Sequence, residues 1–156
     1  MSKLTLQTDG DTHIVVTRRF AASPEAVYRA HTDPKLLQKW LLGPEGWTMP
    51  VCINDAKPGG RFRYEWENGK RRFHITGEFL ELEPFSRIVH VERMHLPDPT
   101  PDNHVETRFD ADGTGTLMTM RMTLSDAHTR ASMLATGMER GMEASYVQLE
   151  GIITAA

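Results

Sequence analysis

The feature that most constrains the fold is a change in hydrophobic period near residue 125. From about residue 48 to residue 124, apolar and polar residues alternate, which is typical of strands with one buried face. Phe62, Tyr64 and Trp66 are the clearest example, since charged residues separate them. From about residue 126 to residue 154, apolar residues recur every three or four positions, which predicts an amphipathic helix. The chain must therefore pack a long helix against a sheet.

The alternating region divides into short strands at turn signals. Asn68-Gly69 and Asp112-Gly113 are dipeptides typical of tight hairpins, and Pro58-Gly59-Gly60 marks a further turn. With a first strand over residues 12–20, the pattern predicts about seven strands. Because short turns join most of them, the sheet should be antiparallel.

Helix signals occur near both ends of the sequence. Ser23 followed by Pro24 and Glu25 predicts a helix start, and a second short helix should follow Asp33-Pro34. The last helix, over residues 126–154, would be roughly 40 Å long at 1.5 Å per residue. Its apolar stripe includes Leu134, Met138, Met142, Ser145 and Leu149, beginning at Ala131 and ending at Ile152.

These elements predict an α+β fold in one domain over residues 1–156. The sheet should curve around the last helix, because strands twist and both elements need to bury an apolar face. Gly137 and Gly141 lie four residues apart in that helix and predict either close packing or a bend. A curved sheet that holds one helix leaves an interior space where the two diverge.

Composition narrows the function. The 156 residues carry a formal net charge of −3, which argues against nucleic-acid binding, and one cysteine, Cys52, which excludes an internal disulfide. No stretch resembles a signal peptide or a membrane span, so we expect a cytoplasmic protein without membrane insertion. The loop with His95, Asp98, Asp102 and His104 is rich in proline, and we interpret it as a solvated connection, with no metal or cofactor expected.

Several segments together resemble the START-like (helix-grip) superfamily, and within it the branch of heat-shock protein 90 ATPase activator homologues. They are "FAASPEAVYRAHTDPKLLQKWL", "GPEGW", "DAKPGGRFRY", "GEFLELEPFSRIVHVERM", "HVETRFDADGTGTLMTMRM" and "MLATGMERGMEASYVQLEGI". The resemblance covers nearly the whole chain and implies the order β-α-α-β6-α. It also implies a cavity between sheet and final helix for a hydrophobic or amphipathic small molecule.

The predicted lining of this cavity is aromatic and methionine-rich, as in adaptable binding sites. It comprises Trp40, Trp47, Phe62, Tyr64, Trp66, Phe73, Ile75, His90, Met118, Met120, Met122, Met138, Met142 and Tyr146. The tyrosines and tryptophans also carry polar atoms that need partners once buried. Ordinary core packing is the alternative for each residue.

Three functions remain open. The first is a binding protein for a hydrophobic, aromatic small molecule. The second is a small cyclase, aromatase or hydrolase in which His90 and Glu92, two apart on one strand, act as acid and base. Val89 and Val91 occupy the opposite face, so either pair could face the cavity. The third is a chaperone-interacting module. An open sheet edge makes a homodimer an additional expectation.

Overall fold

Eight antiparallel strands form one curved sheet in the computed structural model, which describes residues 3–95 and 98–154. They are β1 (Thr5–Asp9), β2 (His13–Phe20), β3 (Thr48–Asn54), β4 (Arg61–Asn68), β5 (Arg71–Glu83), β6 (Arg87–His95), β7 (Asn103–Asp112) and β8 (Gly115–Thr123). Their spatial order is β1-β2-β8-β7-β6-β5-β4-β3, which leaves β1 and β3 at the edges. The α+β helix-grip fold predicted from the sequence is confirmed.

The sheet has one strand more than the seven predicted. The additional strand, β1, pairs with β2 through a turn at Gly10, which has a φ of 58°. Leu6 of β1 and Leu4 just before it are only partly buried, because β1 lies at the edge of the sheet.

In the described part of the chain, four helices accompany the sheet: α1 (Pro24–Thr32), α2 (Pro34–Trp40), α3 (Ala127–Leu134) and α4 (Met138–Thr154). Ser23 caps α1 as predicted, since its Oγ accepts a hydrogen bond of 3.2 Å from the Ala26 amide. Within the described residues, no helix combines the length and apolar character needed to cross a membrane.

The prediction of one continuous helix over residues 126–154 is wrong. The chain leaves α3 after Leu134, and Gly137 adopts a left-handed conformation with a φ of 79° before α4 begins. Glycine adopts this conformation without steric cost, so the break is encoded at that position. The helix α3 buries none of its residues, whereas α4 buries Ser145, Tyr146 and Leu149.

The core lies between the concave face of the sheet and the helices α1, α2 and α4. Tyr146 of α4 packs edge-on against Phe20 of β2, with ring centroids 5.5 Å apart. Trp40 of α2 lies on the other side of Tyr146 at 6.0 Å. The Trp40 indole donates a hydrogen bond of 2.8 Å to the Ala30 carbonyl, which fixes α2 against α1.

Candidate functional site

The strand register shows which side chains share the concave face. Phe62 pairs with Gly77, Gly77 with Glu92, and Glu92 with Asn103, so these four positions form one row across β4, β5, β6 and β7. In the adjacent row, Phe79 pairs with His90 and His90 with Val105. Cross-strand partners project on the same side of a sheet, so these rows place polar groups among apolar ones.

The structure therefore answers which face of β6 points inward. The His90 ring contacts the edge of Phe62, with centroids 5.3 Å apart, and Phe62 is a buried core residue. Glu92 lies beside it, and the side chains of His90 and Glu92 are 15% and 26% exposed. Val89 and Val91 belong to the convex face by alternation.

His90, Glu92, Asn103, Tyr64 and Tyr146 form what we term the interior polar cluster. His90 Nε2 lies 2.6 Å from Glu92 Oε1, a short hydrogen bond between an imidazole and a carboxylate. Asn103 is 3% exposed, and neither its Oδ1 nor its Nδ2 has a hydrogen-bond partner among the described residues. An unpartnered buried amide costs about 1–3 kcal/mol, so this side chain is unusual for a stable core.

The pKa values of Tyr64 and Tyr146 are raised by the same surroundings. Burial is the main cause that raises the pKa of Tyr64 and of Tyr146, and the negative charge of Glu92 adds to the effect at both residues. Both phenols are consequently neutral at physiological pH and can donate a hydrogen bond. The Tyr64 hydroxyl donates to Asn54 Oδ1, and Asn54 Nδ2 donates to the Thr32 carbonyl at 2.7 Å.

His31 of α1 places a second imidazole in the interior. Its Nδ1 lies 2.8 Å from the Val27 carbonyl, and its buried Nε2 has no partner among the described residues. Burial lowers the pKa of His31 to about 4, against the opposing effect of the Val27 carbonyl, and the nearby His90 lowers it further. Neutral His31 therefore donates from Nδ1 and presents a lone pair at Nε2.

A continuous series of ring contacts connects the cluster with the surface, and we term it the aromatic path. Trp47 contacts Phe73 at 5.3 Å, and Phe73 stacks on Trp66 at 5.0 Å. Trp66 contacts Tyr64 at 6.0 Å, Tyr64 stacks on Phe62 at 5.0 Å, and Phe62 contacts His90. The path therefore leads from the loop before β3 to the polar cluster.

The outer end of this path opens into a surface cleft of about 510 Å³. One wall is the loop of residues 42–47, and the other is the α4 surface formed by Ala144, Val147 and Gln148. Two hydrogen bonds hold the loop: the Gly43 amide donates to Ser145 Oγ at 2.8 Å, and Trp66 Nε1 donates to the Leu41 carbonyl at 2.7 Å. A second cleft of about 340 Å³ lies between residues 3–4 and the start of α4.

The predicted lining residues fall into two groups. Those buried in the core, each at most 8% exposed, are Trp40, Phe62, Tyr64, Trp66, Met118, Met122 and Tyr146. Those of intermediate exposure are Trp47, Phe73, Ile75, His90, Met120, Met138 and Met142. Trp47 lines the 510 Å³ cleft, whereas Trp40 lies in the core.

Three interior polar residues were not predicted from the sequence as site residues: His31, Asn54 and Asn103. The signal for Asn103 was present, because it alternates with Val105, Thr107 and Phe109, all of which are buried. The signal for His31 was its place on the buried side of α1. Cys52 is half buried, and burial raises the pKa of its thiol to about 11, so it is no activated nucleophile.

The histidines and carboxylates of the 95–104 region are engaged separately. Asp102 accepts a hydrogen bond of 2.9 Å from Arg93, while His95 stacks on His74 and lies 2.9 Å from Thr76 Oγ1. Within residues 3–95 and 98–154, no three histidine, cysteine or acidic side chains are grouped so as to hold a metal ion.

Comparisons with known proteins agree with this architecture. Residues 21–154 match the family model described as Activator of Hsp90 ATPase homolog 1-like protein. A crystal structure of a Rhodobacter sphaeroides protein has a TM-score of 0.92 and 27% identity, covering 99% of this chain and 100% of that one. Protein CV1439 from Chromobacterium violaceum has a TM-score of 0.79 and 26% identity, covering 92% and 99%. Protein Ms6760 from Mycobacterium smegmatis, at 22% identity and a TM-score of 0.86 over 97% of both chains, shares the fold. No curated protein sequence matches the chain.

Proposed function

The chain belongs to the family of Activator of Hsp90 ATPase homolog 1-like proteins, and on this premise we propose that it binds a hydrophobic, aromatic small molecule between the sheet and α4. The family is a branch of the START-like superfamily, whose fold commonly holds hydrophobic ligands. The proposal concerns the concave face of the sheet, where aromatic and methionine side chains surround the interior polar cluster.

The aromatic path is the observation that carries this proposal. Aromatic rings attract one another in stacked and edge-on arrangements at centroid separations of about 4.5–7 Å. Each contact from Trp47 to His90 falls within that range. A planar aromatic ligand that moves inward can replace these contacts between protein rings with contacts between itself and the same rings. The path ends at His90 in the interior polar cluster, where the Asn103 amide lacks partners, and a ligand with a polar group would supply them.

Access requires the interior to open, because most residues of the path are buried. We expect the loop of residues 42–47 to move, since it forms one wall of the 510 Å³ cleft. A single side chain of α4, Ser145, accepts the hydrogen bond of its Gly43 amide. Met118, Met120 and Met122 on β8 face the same interior, and their unbranched thioether side chains can repack around a guest.

Thermal unfolding with a library of hydrophobic aromatic compounds tests the proposal. A ligand that binds the native state at 100 times its Kd stabilises it by about 2.7 kcal/mol. For a domain of this size, that corresponds to a rise in Tm of roughly 5–10 °C. In a Phe73→Ala variant, the affinity for the same compound should fall at least about tenfold, since a path ring is lost. Leu80→Ala, on the same strand but 47% exposed, is the matched control and should leave affinity unchanged.

A library without any stabilising compound would contradict the proposal. The chaperone-module alternative, which the family description suggests, predicts the converse result. In that case, purified chaperone ATPase would associate with the chain, and small aromatic compounds would leave its Tm unchanged.

A second candidate function is acid–base catalysis in the same interior, and the His90–Glu92 pair favours it. If Nε2–H of His90 donates to Glu92 Oε1 at 2.6 Å, the lone pair that a general base needs is at Nδ1. The carboxylate would orient the ring. Turnover that disappears in both His90→Gln and Glu92→Gln, while ligand affinity persists, would establish an enzyme of the cyclase or hydrolase type.

A further inference from the structure

The interior polar cluster also restricts the chemical class of the ligand. We propose that the ligand's buried polar group is a hydrogen-bond donor, a hydroxyl or an amine, and that carboxylic acids are rejected. This inference rests on the proposed function, because it concerns the inner end of the same aromatic path. It follows from the hydrogen-bonding capacity that the cluster leaves unused and from the charges around it.

The Asn103 amide leaves both an acceptor and a donor unused. Asn103 Oδ1 and Nδ2 are a buried acceptor and a buried donor without partners among the described residues, and His31 Nε2 is a further buried acceptor without a partner elsewhere in the interior. A hydroxyl can donate to an acceptor and accept from Asn103 Nδ2 at the same time. An amine can donate more than once. A carboxylate can only accept, so it would leave Asn103 Oδ1 unsatisfied.

The charges around the interior act in the same direction. Arg18 on β2 is a buried cation, with 3% of its side chain exposed, and it is engaged by two carboxylates. Its Nε lies 3.0 Å from Glu143 Oε1, and its Nη1 lies 3.8 Å from Glu150 Oε1. Glu92 lies beside the Asn103 amide, because the two residues are cross-strand partners on β6 and β7. A ligand carboxylate would therefore lose its hydration and meet repulsion.

Four compounds with one scaffold test the inference: 2-naphthalenemethanol, 2-naphthylmethylamine, 2-naphthoic acid and 2-methylnaphthalene. Their Kd values for the full chain are measured at pH 7.5 by isothermal titration calorimetry. We expect the alcohol and the amine to bind at least about tenfold more tightly than the acid, and about threefold to tenfold more tightly than the hydrocarbon, as one to two hydrogen bonds would give.

Two variants assign the selectivity to named groups. Asn103→Leu has nearly the same volume and removes the amide, so the preference of the alcohol over the hydrocarbon should fall to less than about twofold. Glu92→Gln removes one negative charge, so the affinity for the acid should rise about fivefold or more. Leu80→Ala is the control and should preserve all four Kd values.

The outcomes separate the inference from the proposed function. If the hydrocarbon and the acid bind as tightly as the alcohol, the donor preference is overturned while the binding function survives. If none of the four compounds binds, both are overturned. If Asn103→Leu fails to fold, the Glu92→Gln measurement decides: unchanged affinity for the acid overturns the inference.

Discussion

Arg18 on β2 and Glu143 on α4 are joined by a hydrogen bond of 3.0 Å between Nε and Oε1. The guanidinium also lies over the Phe20 ring, 4.8 Å from its centroid, so it packs as well as pairs. The Glu143 carboxylate further accepts a hydrogen bond of 3.1 Å from the Leu4 amide. This pair therefore fastens the helix that covers the candidate site to the sheet that forms its floor.

Replacing Arg18 with methionine should lower the free energy of unfolding by about 2 kcal/mol. Methionine fills similar space but removes the ion pairs with Glu143 and Glu150. The loss stays below the 3–5 kcal/mol of a fully buried pair, because the Glu143 side chain is 23% exposed. Urea denaturation measures the change. Arg19→Met is the control. Arg19 pairs with Asp112 at the surface, so its replacement should lower the free energy of unfolding by less than about 0.5 kcal/mol. Equal losses in both variants would contradict a special role for the buried pair.

Gly77→Ala should destabilise the protein by about 2–3 kcal/mol. A Cβ at this position would lie 2.2 Å from Phe62 Cζ and 2.3 Å from the Val91 carbonyl oxygen. The Phe62 ring would have to move away from His90, and a shift of the β6 backbone would cost additional free energy. We also expect weaker ligand binding, because Phe62 belongs to the aromatic path.

The matched control is the same substitution in α4. Gly151 has no atom within 4 Å of an added Cβ and a helical conformation, so Gly151→Ala should stabilise the protein by about 0.5–1 kcal/mol. Opposite signs for the two variants in urea denaturation are the expected result. A Gly77→Ala variant as stable as the wild type would show that Phe62 can move freely.

Local signals in the sequence are enough to predict most of the fold. Alternation identifies the strands, and the hairpin dipeptides Asn68-Gly69 and Asp112-Gly113 locate two of the turns correctly. The signal for β1 was also present, since Leu4 and Leu6 alternate before Asp9-Gly10. The break at Gly137 was harder to predict, because a glycine inside a helical pattern is compatible with both a bend and continuous packing.

The site was less predictable because it depends on strand register. The alternation on β6 leaves two options, and an apolar pair, Val89 and Val91, competes with His90 and Glu92 for the interior. Pairing across the sheet decides, because Glu92 lies opposite Gly77, on which the Phe62 ring rests. The importance of Asn103 is also non-local, since it follows from the missing hydrogen bonds of its amide in the folded chain.

Ser145→Ala should loosen the loop of residues 42–47. The Gly43 amide would lose its 2.8 Å partner, and one such hydrogen bond contributes about 1 kcal/mol. Hydrogen exchange at the Gly43 amide should accelerate about fivefold, because 1 kcal/mol corresponds to that factor in an opening equilibrium. Association and dissociation of 2-naphthalenemethanol, followed by stopped-flow fluorescence, should both become faster.

The control for this prediction is Ser86→Ala. Ser86 Oγ donates to the Glu83 carbonyl in an exposed turn far along the sheet, so its loss should leave Gly43 exchange unchanged. Equal Gly43 exchange in wild type and Ser145→Ala would mean that the serine does not hold the loop.

His31 should make the protein less stable as the pH falls from 6.5 to about 4. Burial lowers the pKa of this imidazole from 6.5 to about 4 in the folded chain. The unfolded chain therefore takes up a proton first, and protonation favours unfolding throughout that window. The contribution of neutral His31 to the free energy of unfolding is complete above pH 6.5 and falls by up to about 3 kcal/mol at pH 4. Urea denaturation from pH 7.5 to pH 4 measures it.

A His31→Phe variant should show a flatter profile over the same window. Phenylalanine preserves the ring contacts with Trp40 and Phe109, 4.9 and 5.0 Å away, but cannot bind a proton. The burial of His74 also lowers its pKa, so the informative quantity is the difference between the two profiles. His128→Gln, at an exposed position, should leave the wild-type profile intact. Superimposable profiles for wild type and His31→Phe would show that His31 does not lose a proton on folding.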